Sequence, residues 1–398
     1  MKIVLLTQYF PPEIGAAQRR LSGLAARMAA RGHDVTVLTA MPSYPLGRIY
    51  PGYGGVIRRE ERDGVHVIHT LVYPTQKADY LRRLTNYFSF VASSLVFGAA
   101  LLDRPEYLIV ESPPLFLGVT GFLLARLKGA RTIFNVSDLW PESAVSLGKL
   151  SRESTAYRMS EKLEEFCYRR AWLVTGQAKS ILASIQERFP GIRTYFLSNG
   201  VETRLYDSSP GPGNGATCVV LYAGLHGLAQ GLDQVIDAAG AIRDGGRSRF
   251  VLIGDGPEKE ALRARAHALG LSNITFRDSL PSREVPAAVA AADIVLVTLK
   301  VYIPGAVPSK LYEAMAAGRP VVLVADGEAA EIVRTHNAGL VVRPGDTEGL
   351  VKAVCTLRDR ADLRREMGAS GRKAAEEQFD SARIANSYID FLEEHSRR

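Results

Sequence analysis

Residues Pro304 to Asp326 read PGAVPSKLYEAMAAGRPVVLVAD, an order that few chain paths accommodate. A turn rich in Pro and Gly comes first, and Pro308 stops any helix from running back through it. Ser309 stands where an N-cap belongs, with a hydroxyl able to accept a free N–H of the first turn. LYEAMAA consists of good helix formers, Gly318 is a C-terminal stop, and Pro320 forbids continuation. VVLVA then has the length and apolar character of a buried parallel strand. Loop, helix and buried strand in this order are the repeat of a doubly wound α/β sheet. At the helix start, free N–H groups, the positive end of the dipole and the Lys310 ammonium converge, which suits an anion. Glu313, one turn further in, can accept hydrogen bonds from a diol. A phosphate beside a sugar is what a nucleotide-sugar presents; the plain alternative is an ordinary capped helix.

The rest of the chain keeps the same rhythm. KIVLLTQYF is a strand, PPEIGAAQ a turn, and Leu21, Leu24, Ala25 and Met28 recur at helical spacing before the strand GHDVTVLTA. Gly15, near that helix start, lets the backbone approach a ligand, or simply makes a β–α turn. The loop is not GxGxxG and lacks a Walker lysine, so neither a dinucleotide nor an NTP is indicated. CVVLYAGLHGLAQGLDQVIDAAGAI restarts the unit, and its loop from Gly224 through Gly227 and Gln230 to Gly231 offers backbone that can cradle phosphate oxygens. FVLIGDGPEKEAL and ITFRDSLP place Asp255, Gly256 and Arg277 at further strand ends.

With 398 residues the chain is too long for one typical domain. The run from Asp207 to Ala216, rich in Gly, Pro and Ser, is the best linker. The expected division is 1–205, a linker over 206–216, a second domain over 217–378, and an amphipathic terminal helix over 379–398.

RTIFNVSDLWPES ends a strand with Asp138, Trp140 and Glu142, at the sheet edge where open α/β sheets bind ligands. Two carboxylates and an indole suit a sugar; a cap and a packing Trp are the alternative. The net charge of +7 is uneven: residues 1–199 hold 25 Lys/Arg against 16 Asp/Glu, and residues 200–398 hold 24 against 26. The first half therefore suits an anionic partner, and no nucleic-acid motif accompanies the charge. Cys167, Cys218 and Cys355 match no disulfide or metal spacing, no signal peptide is visible, and no metal site can be assembled, so a cytoplasmic setting without a metal is expected.

Between Arg83 and Asp103 lies LTNYFSFVASSLVFGAALL, free of charge and roughly 28 Å long as a helix. A membrane crossing fails on topology, because VHVIHT before it and YLIV after it belong to one sheet. Two readings survive: a helix buried on the sheet, or one sunk in a membrane interface through Tyr87, Phe88, Phe90, Val91 and Phe97 beside Arg82 and Arg83.

PSKLYEAMAAGRPVV, with DLWPES, YAGLHGLAQGLD and GDGPEKEAL, resembles retaining glycosyltransferase family 4 over nearly the whole chain. It resembles more narrowly the N-acetyl-L-fucosamine transferase branch of O-antigen and capsule assembly. The resemblance implies a GT-B fold, two Rossmann-like parallel-sheet domains facing a cleft. It implies a UDP-sugar donor held by Gly15, Gly224, Gly227, Gln230, Gly231, Asp255, Gly256, Arg277, Ser309, Lys310, Leu311 and Glu313. It implies a lipid-linked acceptor, polyprenyl-diphosphate or other, met by Asp138, Trp140, Glu142, Arg82 and Arg83 at the cytoplasmic face of a membrane. Lys310, Glu313 and Asp138 are then the catalytic residues, no cofactor or metal is needed, and the tail helix crosses back to the first domain. Three positions depart from the pattern. Gly305 replaces the first of two glutamates separated by seven residues, and Leu225 and Gln230 stand where relatives carry Arg and Lys. A UDP-sugar epimerase and a silent nucleotide-sugar-binding subunit remain as alternative readings.

Overall fold

The structure, a computed structural model, describes residues 1–75, 80–206, 217–242 and 244–396, without the side chains of Tyr80, Leu81 and Arg83. The linker expected over 206–216 lies outside the described residues except for Tyr206, and so does the expected Arg83 contact. Two compact units form, Met1–Ser198 together with the helix from Ile384 onward, and Asn199–Arg383. Residues 199–205, expected in the first domain, cluster with the second.

Among the described residues, the first unit holds a sheet of β1 (Lys2–Leu6), β2 (Asp34–Ala40), β3 (Ile57–Arg62), β4 (Val65–Thr70), β5 (Tyr107–Ser112), β6 (Arg131–Val136), β7 (Leu173–Gly176) and β8 (Thr194–Phe196). The order across the sheet is β3-β4-β2-β1-β5-β6-β7-β8. Every pair is parallel except β3–β4. The parallel strands are apolar because helices cover both faces. β3 reads IRREER, and its charge suits an edge that must not recruit another strand. The terminal helix Ser381–Ser396 packs Tyr388, Ile389 and Leu392 into the same core as Ile3, Leu5 and Ile109.

Helix α2 (Tyr80–Leu101) connects β4 to β5 within this one sheet, so it crosses no membrane, although Leu84–Leu101 has a mean hydropathy of 1.4. Asn86, Phe90, Ser93 and Ser94 form its buried stripe, while Phe88 and Val96 are exposed at 47% and 62%. Phe90 therefore does not belong to an outward face as expected, and Tyr87, Val91 and Phe97 are half-buried. The polar residues are spent on the sheet side: Gln8 donates to Asn86 at 2.6 Å, Asn86 to the Tyr73 carbonyl, and Ser93 to the Leu71 carbonyl.

The second unit holds β9 (Cys218–Ala223), β10 (Ser248–Ile253), β11 (Ile274–Arg277), β12 (Ile294–Thr298), β13 (Val321–Val324) and β14 (Gly339–Val342), all parallel, in the order β11-β10-β9-β12-β13-β14. In both sheets the winding direction reverses beside the first strand of the unit, between β1 and β5 and between β9 and β12. Ligands of open α/β sheets bind outside the carboxyl ends of strands at such a reversal.

Candidate functional site

In the second unit, residues 299–308 carry the chain from β12 to the helix Ser309–Ala316. Pro308, with φ −61° and ψ 131°, holds the N-cap position, and Ser309 is already helical with no side-chain cap bond. The expected cap at Ser309 is thus displaced by one residue. A capping residue must be extended, and the proline ring favours that conformation at Pro308. Leu311 follows on the same helix. Its side chain is fully buried and its amide donates to the Pro308 carbonyl at 3.0 Å.

Lys310 reaches back to the carboxyl end of β9. Its stem runs across the Cα of Gly224 at the end of β9, and its Nζ sits 5.6 Å from the centre of the Tyr222 ring. Burial lowers its pKa, and the nearby Glu313 carboxylate works in the opposite direction. Glu313 is half-buried on the same helix, and Gly305 upstream supplies no carboxylate.

The loops beside it are bound backbone to backbone. The amide of Gly224 donates to the Ile253 carbonyl at 2.8 Å, that of His226 to Asp255, and that of Glu258 to the His226 carbonyl. Asp255 accepts from the Gly256 amide through Oδ1, and the Arg277 carbonyl accepts from Gly254, while both side chains stay exposed. Gln230 closes a turn onto the Gly227 carbonyl and buries its Oε1 without a partner. His226 is fully buried, and neither ring nitrogen reaches hydrogen-bond geometry, although the Ile253 carbonyl lies near. Burial first, then Lys259, lowers its pKa, which keeps it neutral. Gly224, Gly227, Gln230, Gly231, Ser309, Lys310 and Glu313 are thereby placed at the carboxyl edge of β9 and β12, and Asp255, Gly256 and Arg277 at that of β10 and β11.

At the carboxyl edge of the first sheet, the structure assembles a cluster that sequence reasoning missed. Glu111 in β5 accepts from Arg20 at 2.8 Å and also from Asn135 and Ser137. Arg20, on α1 (Ala16–Ala30), donates further to Ser137 at 2.6 Å and to Gln177 at 3.1 Å. Thr175 donates to Asn135, so β5, β6, β7 and α1 are tied by one network with Arg20 and Glu111 only 11% and 4% exposed. Asp138 stands beside it. Burial and then Glu111 raise its pKa, and Arg20 opposes them. A carboxylate ending the apolar run YLIVES was the available signal for Glu111.

Glu142 is engaged by other side chains. It accepts from Tyr157 at 2.9 Å and from Arg188 at 3.4 Å, and Arg188 also holds the fully buried Glu164. Glu142 opens the helix Glu142–Ser146, and Trp140, two residues before it, is half-buried. Gly15 has an extended backbone, φ 178°, and the end of the Gln18 side chain lies in the space beside its Cα. Arg82 is exposed at the start of α2. Glu13, also missed, is buried in the loop after β1 and accepts the amides of Ser43 and Tyr44, both at 2.7 Å. Burial pushes its pKa up to about 7 against those bonds. Among the described residues no group of three or more His, Cys, Asp and Glu could hold a metal ion.

Residues 217–360 match the family of glycosyl transferases group 1, and residues 15–200 match the glycosyl transferase 4-like domain. The chain is 27% identical to WcaI of Escherichia coli K12, named for glycosyl transfer in colanic acid biosynthesis, over 98% of this chain and 99% of that one. It is 33% identical to a GDP-mannose-dependent alpha-(1-6)-phosphatidylinositol monomannoside mannosyltransferase of Mycobacterium tuberculosis, over 98% of each. Among solved structures it is similar to HepE of Anabaena in complex with UDP and glucose, with a TM-score of 0.73 and 20% identity over 99% of this chain and 100% of that one. The fold is GT-B.

Proposed function

The chain belongs to the group 1 glycosyltransferases, of family 4, and we infer that it moves a sugar from a UDP-activated donor to a lipid-linked acceptor in cell-surface polysaccharide assembly. The observation that carries this reading is Lys310, a half-buried ammonium held over Gly224 at the winding reversal of the second sheet. Charge develops on the departing diphosphate as the anomeric C–O bond breaks, and a cation fixed there is worth most in the transition state. Glu313 accepts hydrogen bonds from the ribose hydroxyls, and the loops at Asp255 and Arg277 hold the base. The anomeric configuration is retained by front-side attack: the acceptor oxygen bonds to the anomeric carbon as the diphosphate leaves, and the diphosphate takes the acceptor proton. Asp138, in the other unit, orients the acceptor. No metal is called on in this reading. The sugar is an N-acetylated hexosamine or deoxyhexosamine of O-antigen or lipopolysaccharide type, transferred at the cytoplasmic face of the membrane. UDP in the HepE complex supports the base chosen, while the mannosyltransferase relative makes GDP the competing base.

A panel of UDP- and GDP-sugars, each tested with and without polyprenyl-diphosphate-linked acceptors, checks the reading. Acceptor-dependent UDP release, with an axial or equatorial linkage matching the donor by NMR, is the expected result. Release of an altered nucleotide-sugar without acceptor would point to an epimerase, and binding without turnover to a silent subunit.

A further inference from the structure

We propose that Lys300 is the second cation of the donor site, contacting the diphosphate together with Lys310; the inference rests on the donor reading above. In the second sheet β10 and β11 lie on one side of β9, while β12, β13 and β14 lie on the other. The crevice outside the carboxyl ends of β9 and β12 is therefore where this sheet takes a ligand. The loop 224–231 forms one flank of it. Lys300, two residues past the end of β12, stands on the other.

Backbone packing fixes Lys300 against the loop. Its amide donates to the Ala229 carbonyl at 2.7 Å. Gly231, with φ 57°, leaves room for it: a β-carbon at 231 would stand 2.9 Å from the Lys300 Cβ. Beyond the Cβ the side chain is 55% exposed, and its Nζ lies 3.6 Å from Asp233 in the first turn of the helix that follows the loop. A pair this exposed is weak, so a diphosphate oxygen can replace Asp233.

The chemistry asks for such a group. A nucleoside diphosphate brings more than one negative charge, and the charged form of Lys310 is already disfavoured by burial. Leu225 and Gln230 in the loop bring no charge. Thr298, the last residue of β12, buries its hydroxyl without a partner, a donor lacking an acceptor on the Lys300 flank. Lys300 is thus the cation that fixed backbone geometry delivers to this crevice.

Calorimetric titration of UDP, GDP and uridine into the full chain and into Lys300→Ala, Lys300→Gln and Lys300→Arg, at two salt concentrations, tests the role. Lys300→Ala and Lys300→Gln are expected to weaken UDP at least tenfold, leave uridine unchanged and flatten the salt dependence, while Lys300→Arg keeps most of the affinity. UDP affinity within twofold of the parent in Lys300→Ala overturns the inference alone. Equal losses for UDP and uridine also overturn it, because Lys300 would then be holding the loop rather than the phosphates. If the parent binds neither UDP nor GDP, the donor reading fails and takes the inference with it.

Discussion

The side chain of Lys310 occupies the space beside the Cα of Gly224 that a β-carbon would need. Gly224 also has φ 154°, a backbone that L side chains rarely adopt. A methyl at 224 must then push the ammonium away from the strand end, so Gly224→Ala should reproduce the phenotype of Lys310→Ala in a folded protein. The expected loss of UDP affinity is tenfold or more for each, about 1.4 kcal/mol. The double variant should be no worse than either single one, because both remove the same interaction. Additive losses by calorimetry would mean that the two residues act separately. Ser309→Ala should change stability by less than about 0.5 kcal/mol, since Pro308 and not the hydroxyl starts the helix.

The two sheet-edge carboxylates of the first unit should separate in the same way. Asp138→Asn should cut transfer strongly and leave UDP affinity near the parental value, because Asp138 belongs to the first unit and the proposed donor-binding groups to the second. Glu142→Gln should do the opposite, lowering the melting temperature through weakened bonds from Tyr157 and Arg188 at a cost of about 1–3 kcal/mol, with kcat retained. Thermal melts alongside single-turnover transfer check both; loss of UDP binding in Asp138→Asn would contradict the division.

Glu13 makes stability depend on pH. Its carboxyl is raised from 4.5 to about 7 in the fold, so the native state binds more protons than the unfolded state between those values. Its contribution is whole below pH 4.5, falls as pH rises through 7, and is flat above. Glu13→Gln can still accept the Ser43 and Tyr44 amides through its carbonyl, and it never ionises. The variant should match the parent at pH 4 and exceed it at pH 8, by up to about 3 kcal/mol. Equal melting temperatures at pH 8 would show that the buried carboxyl is ionised at no cost.

These residues also show what a linear sequence reveals. The β/α rhythm was legible because period and strand length are local properties, and so was the place of Lys310 at a helix start, since Pro308 to Glu313 are contiguous in the chain. Glu111 was not. Its partners at 20, 135 and 137 come from separate elements, and only sheet order brings them together. Lys300 reads in sequence as a linker residue after an apolar run, and its relation to Gly231 exists only where β12 lies beside β9. Ser309 fails to cap for a local reason: Ser is the commoner capping residue, but the proline before it already has the required backbone.

The proposed membrane contact turns on which side of α2 is apolar and exposed. Phe88 and Val96, eight residues apart, fall on one stripe of the helix. Helix α3 (Leu117–Lys128), which packs on α2, adds exposed Leu123 and Leu127 with Arg126 nearby. Phe88→Ser with Val96→Ser should therefore release the protein from anionic vesicles without lowering its melting temperature by more than a few degrees. Added salt should weaken parental binding too, since Arg82 and Arg126 each contribute about 1 kcal/mol near an anionic surface. Phe90→Ser is the internal control: its ring is fully buried, so it should cost about 3–5 kcal/mol of stability. Vesicle flotation and a thermal melt on each variant read the outcome. If the Phe88/Val96 double variant floats as the parent does, α2 is a covering helix of the sheet and the acceptor need not lie in a membrane.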